Sequence, residues 1–434
     1  MDGNRVIKNA SWIILCRIIQ AVIGLILTMF SARYLGPSGY GLISYAASIV
    51  AFVTPIMQLG LNSTLVQEIV AHPDQEGEIL GTAIAMCFVS SVACIIGVIT
   101  FVCVANPGET DTIIVCGLYS ASLIFQSFEI IQCWFQAKLL SKYTAITTLV
   151  AYTAMSAYKI ILLIVGKSIY WFALSQVLDY CIISVVFLLI YRKIGIEQLN
   201  ISFRRGKQML EKSKYYIASS LMVTVFAQTD RVMLKLMIDE SAVGFYSAAV
   251  TCAGMTSFVF GAIIDSARPA ILSVKNISQT KFEDRIKLLY FFVIYLALLQ
   301  SVFISVLSKW IVLFLYGPAY ESTINALRII VWYTTFSYLG SVRNIWILAE
   351  GKQRFLWIIN LSGALTNVGL NLLLIPVWGI NGAAIASLVT QIFTNVIIGF
   401  ILKPIRDNNY LMLKSIRLGM IVSALKALIN SQYN

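Results

Sequence analysis

Apolar runs of about 20 residues or longer recur from end to end of this chain, separated by short polar loops. One such run can hide in the core of a soluble protein. A long succession of them leaves no polar surface to face water. A helix rises about 1.5 Å per residue, so roughly 20 residues cross the hydrocarbon layer of a bilayer. On that basis the sequence predicts about twelve spans: 10–33, 39–61, 79–105, 112–137, 143–165 and 169–191, then 215–238, 243–268, 286–315, 324–348, 355–375 and 380–403. The 434 residues are 59% hydrophobic and 12% charged, well outside the range of soluble domains. The fold class is therefore all-α and integral to the membrane. The predicted organisation is an N-terminal lobe of six helices (1–191), a basic cytoplasmic linker (192–214), a second lobe of six helices (215–403) and a cytoplasmic or interfacial tail (404–434).

Basic residues orient the bundle, because Lys and Arg near a span are retained in the cytoplasm during insertion. Arg5 and Lys8 precede the first span, Lys138 and Lys142 follow the fourth, and Arg192 to Lys214 supply a cluster after the sixth. Lys275, Lys281, Arg285 and Lys287 follow the eighth, Lys352 and Arg354 the tenth, and Lys403, Arg406 and Lys414 the twelfth. Both termini are thereby predicted to be cytoplasmic. The loop EIVAHPDQEGE after the second span is acidic on the basic side, an exception of little weight because acidic residues contribute little to orientation. The net charge of +12 is dispersed among these loops, which argues for topology and against nucleic acid as a partner. The first apolar run is too long for a signal-peptide core and has no small-residue cleavage site. The eight cysteines lie within predicted spans without metal-type spacing and read as packing residues.

The two halves echo each other. GLISYAAS from Gly41 is answered by GFYSAAV from Gly244, and Ala137, Lys142 and Tyr143 by Ala349, Arg354 and Phe355. A six-helix unit repeated in parallel explains both, and such repeats place a pathway at their interface. Helices lining a pathway carry polar residues every three or four positions. Arg17, Gln20 and Thr28 do so in the first span, and Thr224, Gln228, Arg231 and Lys235 in the seventh. Ser44, Ser48, Pro55 and Gln58 mark the second span, and Ser247, Thr251, Asp265 and Arg268 the eighth. Small and hydroxyl residues also serve dry helix packing, so the charges carry more of the argument. Arg17, Glu129, Lys159, Asp179, Asp230, Arg231, Asp265, Arg268, Arg328 and Arg343 all fall within spans. Each costs roughly 2.5–3.5 kcal/mol at a helix centre on insertion scales, so a set this large must meet water or its own counter-charges.

Arg17, Arg231, Lys159, Arg268 and Arg343 are the candidate binders of an anionic substrate such as a phosphate or pyrophosphate. Asp230, Asp179, Glu129 and Asp265 are candidates for ion coupling or charge pairing, with Lys159 or Arg328 as a partner for Asp230. Gln20, Thr28, Gln58, Thr224 and Gln228 are predicted to line the cavity. Lys235 lies near a span end, where snorkelling to the interface explains it equally well. Pro55 predicts a bend in the second span. Trp134, Trp171, Trp310 and Trp378 read as an interfacial belt, while Trp332 and Trp346 lie deeper and leave sugar stacking open. No catalytic constellation and no metal-ligand set is evident, and the chain's single histidine, His72, falls in a cytoplasmic loop.

SARYLGPSGYGLISYAASIVAFVTPIMQLGL, TDRVMLKLMIDESAVGFYSAA, LYGPAY from Leu315 and GINGAAIASLVTQ from Gly379 resemble polysaccharide flippases of the O-antigen translocase type, within the superfamily of multidrug, oligosaccharidyl-lipid and polysaccharide exporters. The resemblance implies two six-helix lobes in a V around a central cationic cavity. It implies a lipid-linked oligosaccharide substrate, a repeat unit on undecaprenyl pyrophosphate, passed from the cytoplasmic to the periplasmic leaflet of a bacterial inner membrane by alternating access. Arg17 and Arg231 match the family's basic cavity residues. It further implies no cofactor, coupling to an ion such as H+ or Na+ or to membrane potential, and pathway partners among glycosyltransferases and a polymerase. Two rivals stand beside this reading. A cation-coupled multidrug exporter shares the fold but wants an acidic or apolar cavity. A membrane polymerase or ligase needs a sizeable outer loop, and the outer loops here are short.

Overall fold

The computed structural model describes residues 3–195, 197–275 and 277–416, with side chains for Gln20 and from Ile23 onward. Among the described residues every regular element is helical. The chain divides into two compact units between Gly244 and Phe245. The first holds α1 (Gly3–Met57), α2 (Leu65–Ala71), α3 (Glu76–Ala105), α4 (Thr110–Ser120), α5 (Ser122–Gln126), α6 (Ile131–Ala137), α7 (Ser141–Val165), α8 (Ile169–Ile194) and α9 (Phe203–Met237), and takes in the start of α10 (Glu240–Gly254). The second continues with α11 (Ser257–Lys275), α12 (Gln279–Leu315), α13 (Thr323–Ala349), α14 (Leu356–Ile392), α15 (Ile398–Ile401) and α16 (Arg406–Ser415).

Among the described residues eight helical stretches are long and apolar enough to cross a membrane. Two of them are double. Ile23–Met57 and Gln353–Ile401 each contain a glycine at which the helix breaks, Gly36 (φ 70°, ψ 176°) and Gly379. Gly36 occupies the left-handed φ range that only glycine enters cheaply, and its extended ψ suits the residue before a proline. Pro37 then opens the next helix, where its missing N–H costs nothing. The breaks coincide with the predicted boundaries between spans one and two and between eleven and twelve. The predicted spans 215–238 and 324–348 are helical as α9 and α13 but fall short of the apolarity test. They carry Asp230, Arg231 and Lys235, and Arg328 and Arg343. The eighth predicted span is split between α10 and α11 after Gly254.

In the first unit α1 packs along α9 and against α3, α4 and α7, while α7 pairs with α8. The sequence repeat assigns α9 to the second lobe, yet it folds with the first unit. Polar contacts explain the attachment: Ser48 on α1 donates to Gln228 on α9 (3.2 Å), and Lys212 on α9 pairs with Glu68 on α2. The acidic loop that departs from the charge rule is matched in the same way, with Glu76 paired to Lys138 (2.5 Å) and Glu197 accepting from the Gly77 amide (2.7 Å). The core of this unit gathers Trp134, Phe135, Phe187 and Tyr191 in edge-to-face contacts. Trp134 is therefore buried among aromatics and is no member of an interfacial belt.

In the second unit α12 packs on α13, α13 on α14, and α16 folds back on α12. Phe260 stacks on Tyr338 at 3.9 Å, and Tyr290 exchanges hydrogen bonds with Asn408 at 3.0–3.1 Å. Asn408, Asn409, Leu411 and Met412 of α16 are buried, so this part of the tail docks on its own unit; residues 417–434 of the predicted interfacial segment lie outside the described residues. Trp346 is buried beneath the Lys352 ammonium at 4.4 Å, which closes the sugar-stacking reading for that residue. Pro55 does not bend a continuing helix. It sits in the last turn of α1, which ends at Met57 and gives way to positive φ at Leu59 and Gly60. Of the cysteines, Cys87, Cys94, Cys116, Cys133 and Cys252 are buried as free thiols, Cys103 is exposed, and Cys16 lies outside the described side chains.

Candidate functional site

A cavity of about 590 Å³ opens in the first unit between α1, the α4–α6 run, α8 and α9. Polar walls set it apart. Thr54 and Gln58 come from α1, Tyr119 from α4, Gln126 from α5, Gln176 and Tyr180 from α8, and Ser219, Ser220, Thr224 and Gln228 from α9. Glu129, between α5 and α6, is the charged member of the lining. The helical repeat explains why each element presents its residues together. Gln176 and Tyr180 are one turn apart, as are Thr54 and Gln58, and Ser220, Thr224 and Gln228 follow at intervals of four.

The pocket groups are partly committed to one another. The Gln228 carboxamide oxygen accepts from Ser48 Oγ at 3.2 Å and from Arg231 NH1 at 2.7 Å. Its amide N–H₂ is thereby left as the donor it offers the cavity. Gln126 Nε2 donates to Ser122 Oγ at 3.3 Å, which leaves its oxygen as an acceptor. Glu129 lies within electrostatic range of Asp179 on α8, and Asp179 within range of Lys159 on α7. Two carboxyls and one amine thus share this side of the bundle.

A different arrangement closes the extracytoplasmic end predicted by the charge rule. The Lys235 side chain is only 3% exposed and reaches Glu109 Oε2 at 2.7 Å and Glu240 Oε2 at 2.8 Å. Snorkelling does not describe it, since the ammonium is sequestered between two carboxylates. Thr112 donates to Glu109 (2.6 Å) and Ser38 to Glu240 (3.0 Å), while Asp239 caps α10 by accepting from the Ala242 amide (2.7 Å). The Lys235 hydrogen bonds hold both glutamates below the usual carboxylate range. Beside this clasp α1 and α10 touch through Gly41 and Gly244. A methyl group on Gly41 would collide with the Glu240 carbonyl, and one on Gly244 with the Pro37 carbonyl.

The other predicted site residues scatter. Gln58, Thr224, Gln228 and Glu129 meet in the pocket, with Arg231 one bond behind Gln228. Gln20 and Thr28 lie on α1 before Gly36 and stand outside its walls. Arg17 is on the same helix, with its side chain outside the described set. Asp230 is buried. Arg268 pairs with Asp265 at 2.9 Å on the exposed face of α11. Arg343 is buried in the core of the second unit, where NH1 donates to the Thr394 carbonyl at 2.6 Å in the π-helical turn Phe393–Ile397. Arg328 donates to Ser308 Oγ at 2.9 Å. Tyr119, Gln126, Gln176 and Tyr180 escape a search confined to spans one, two, seven and eight; the same periodicity applied to spans four and six finds them.

Residues 6–275 match the model of a family described as polysaccharide biosynthesis protein. The chain is 21% identical over 398 residues to a putative O-antigen transporter of Shigella flexneri, covering 88% of this chain and 94% of the relative. Among solved structures it resembles the lipid II flippase MurJ in an inward closed conformation, with TM-score 0.71, 16% identity and coverage of 93% and 90%. It also resembles an inward-facing multidrug resistance MATE family transporter of the MOP superfamily, with TM-score 0.65, 14% identity and coverage of 92% and 96%. At these identities the structural likeness defines the fold alone, an all-helical one shared with those proteins.

Proposed function

The chain belongs to the polysaccharide biosynthesis protein family, and from that premise we propose that it is a flippase carrying undecaprenyl-pyrophosphate-linked oligosaccharide repeat units from the cytoplasmic to the periplasmic leaflet of a bacterial inner membrane. One observation carries the reading: a pocket walled by carboxamides and hydroxyls sits inside an otherwise apolar bundle. Polar groups at that depth cost free energy unless something polar visits them. A glycan headgroup is such a visitor, while its polyprenyl chain stays in the surrounding lipid. Arg231, anchored on Gln228, and Arg17 are assigned to the pyrophosphate. Alternating access moves the occupied pocket between leaflets, with both termini cytoplasmic. Glu129 and Asp179 are the candidate H+ or Na+ coupling groups, and glycosyltransferases and a polymerase of the same pathway are the partners.

The test is a reconstituted assay of lipid-linked oligosaccharide accessibility across proteoliposomes. R231A and R17A should each slow turnover by about tenfold or more, the loss of a charge-assisted hydrogen bond of roughly 1.5–3 kcal/mol. Normal turnover in both variants, inserted and folded, contradicts the assignment. A second reading, a cation-coupled multidrug exporter, draws support from Glu129 as the charged residue of the pocket lining. Proton- or sodium-driven uptake of a cationic dye by the purified protein, without glycolipid turnover, would establish it instead.

A further inference from the structure

The pocket's chemistry says which part of a glycolipid it takes. Its walls carry four carboxamides, Gln58, Gln126, Gln176 and Gln228, beside Tyr180 and the carboxylate of Glu129, with no lysine or arginine among them. A pyrophosphate seated inside it would face Glu129, while Arg231 lies behind the wall, bonded to the Gln228 oxygen at 2.7 Å. Uncharged amides and hydroxyls, each both donor and acceptor, match the alternating donor and acceptor character of vicinal sugar hydroxyls. The fixed partners sharpen the match. Gln228 has its oxygen occupied and offers N–H, whereas Gln126 has its nitrogen occupied and offers oxygen. A volume of about 590 Å³ suits a short oligosaccharide, within the range of small-molecule sites.

We infer that this pocket is the glycan subsite and that it selects uncharged or amino sugars against acidic ones, because Glu129 stands in its wall with Asp179 behind it. The inference rests on the flippase reading and adds the substrate class. A uronic acid placed here brings a second carboxylate against Glu129, and the base bonded to the wall, Arg231, is already engaged by the Gln228 oxygen at 2.7 Å. An N-acetylated or neutral ring meets carboxamides and hydroxyls beside apolar wall residues such as Val50 and Val223, and an ammonium-bearing ring gains a counter-charge.

Two soluble probes separate the possibilities: farnesyl-pyrophosphate-linked N-acetylglucosaminyl-galactose, and the same molecule with glucuronate replacing galactose. Binding is measured by thermophoresis to the full-length protein in nanodiscs. The neutral probe should bind at least about tenfold more tightly, since like-charge juxtaposition costs more than 1.4 kcal/mol. E129Q should bring the two affinities within about twofold, chiefly by improving the acidic probe. E129D, which keeps the carboxylate, should preserve the preference and guards against a mere packing effect. Equal or tighter binding of the acidic probe to the parent, or an unchanged ratio in E129Q, overturns the inference and leaves the flippase reading standing. Failure of the parent to bind either probe overturns both.

Discussion

The first unit contains two polar regions that look alike in sequence and behave differently in the fold. At the clasp, Lys235, Glu109, Glu240, Ser38 and Thr112 are matched to one another, and the glycine contact of α1 with α10 closes the space around them. In the pocket, Gln58, Gln126, Gln176, Gln228 and Glu129 line an open volume, and Gln126 and Gln228 spend only part of their hydrogen-bonding capacity on the chain itself. An intramembrane polar residue is thus sorted by its surroundings: bonded wholly within the chain it holds helices together, and on the wall of a cavity it keeps hydrogen-bonding capacity to spare. The second unit sharpens the point. Its large cavity, about 810 Å³, is lined almost wholly by apolar side chains such as Leu299, Phe303, Ile304 and Phe314. Polar groups such as Asn371, donating to Asn367 (3.1 Å), and Arg343, donating to Thr394, are buried in its helix core.

This distinction can be broken from either side. The largest effect belongs to the glycine contact, where G41V should abolish recovery of folded protein, because the new side chain meets backbone that has no room to shift. Size-exclusion chromatography of the detergent extract reads this directly, and a monodisperse peak at the parental level would refute the contact. Next, K235M should lower the thermal midpoint by an amount equivalent to roughly 1–3 kcal/mol, moderated by the partial exposure of both glutamates. The same assay on Q228L should show little change, since Ser48 keeps its shorter bond to the Ser44 carbonyl (2.8 Å) and the packing of α1 along α9 remains. A midpoint drop in Q228L matching that of K235M would erase the contrast.

Acid should weaken the clasp specifically. Lys235 lowers Glu109 and Glu240 below their ordinary values. A depressed carboxylate stabilises the fold above its unfolded pKa, and that contribution disappears as pH falls through the folded value. The midpoint of the parent should therefore fall as pH drops below about 4.3, and K235M should show a flatter dependence there. Parallel profiles for the two proteins would mean that the clasp contributes nothing. The smallest effect is expected from D265N, because the Asp265 to Arg268 pair is exposed at the surface of its unit and one turn apart. A change in midpoint within about 0.5 kcal/mol is the prediction.

The sequence makes some of this readable and hides the rest for identifiable reasons. Hydropathy locates the spans because insertion depends on composition over one helix length, and Gly36 and Gly379 announce their breaks through the company of prolines. Periodicity along single helices puts Gln58, Thr224 and Gln228 on related faces, and the fold gathers them in one pocket. Pairings between distant segments leave no such trace. Glu109 and Lys235 are far apart in the chain, so Lys235 reads as an interfacial lysine until the fold joins them. Arg343 reads as a cavity base for the same reason, since its partner carbonyl belongs to a helix that returns much later. Trp134 reads as a belt residue because its depth is legible and its aromatic neighbours Phe135 and Tyr191 are not all local.

The central claim, that the first unit's pocket carries the glycan of a flipped lipid, is tested most directly by turnover of lipid-linked oligosaccharide in proteoliposomes holding Q228L beside the parent. The account predicts at least about a tenfold loss of turnover with the thermal midpoint kept. Parental turnover in a folded, correctly inserted Q228L protein would contradict it.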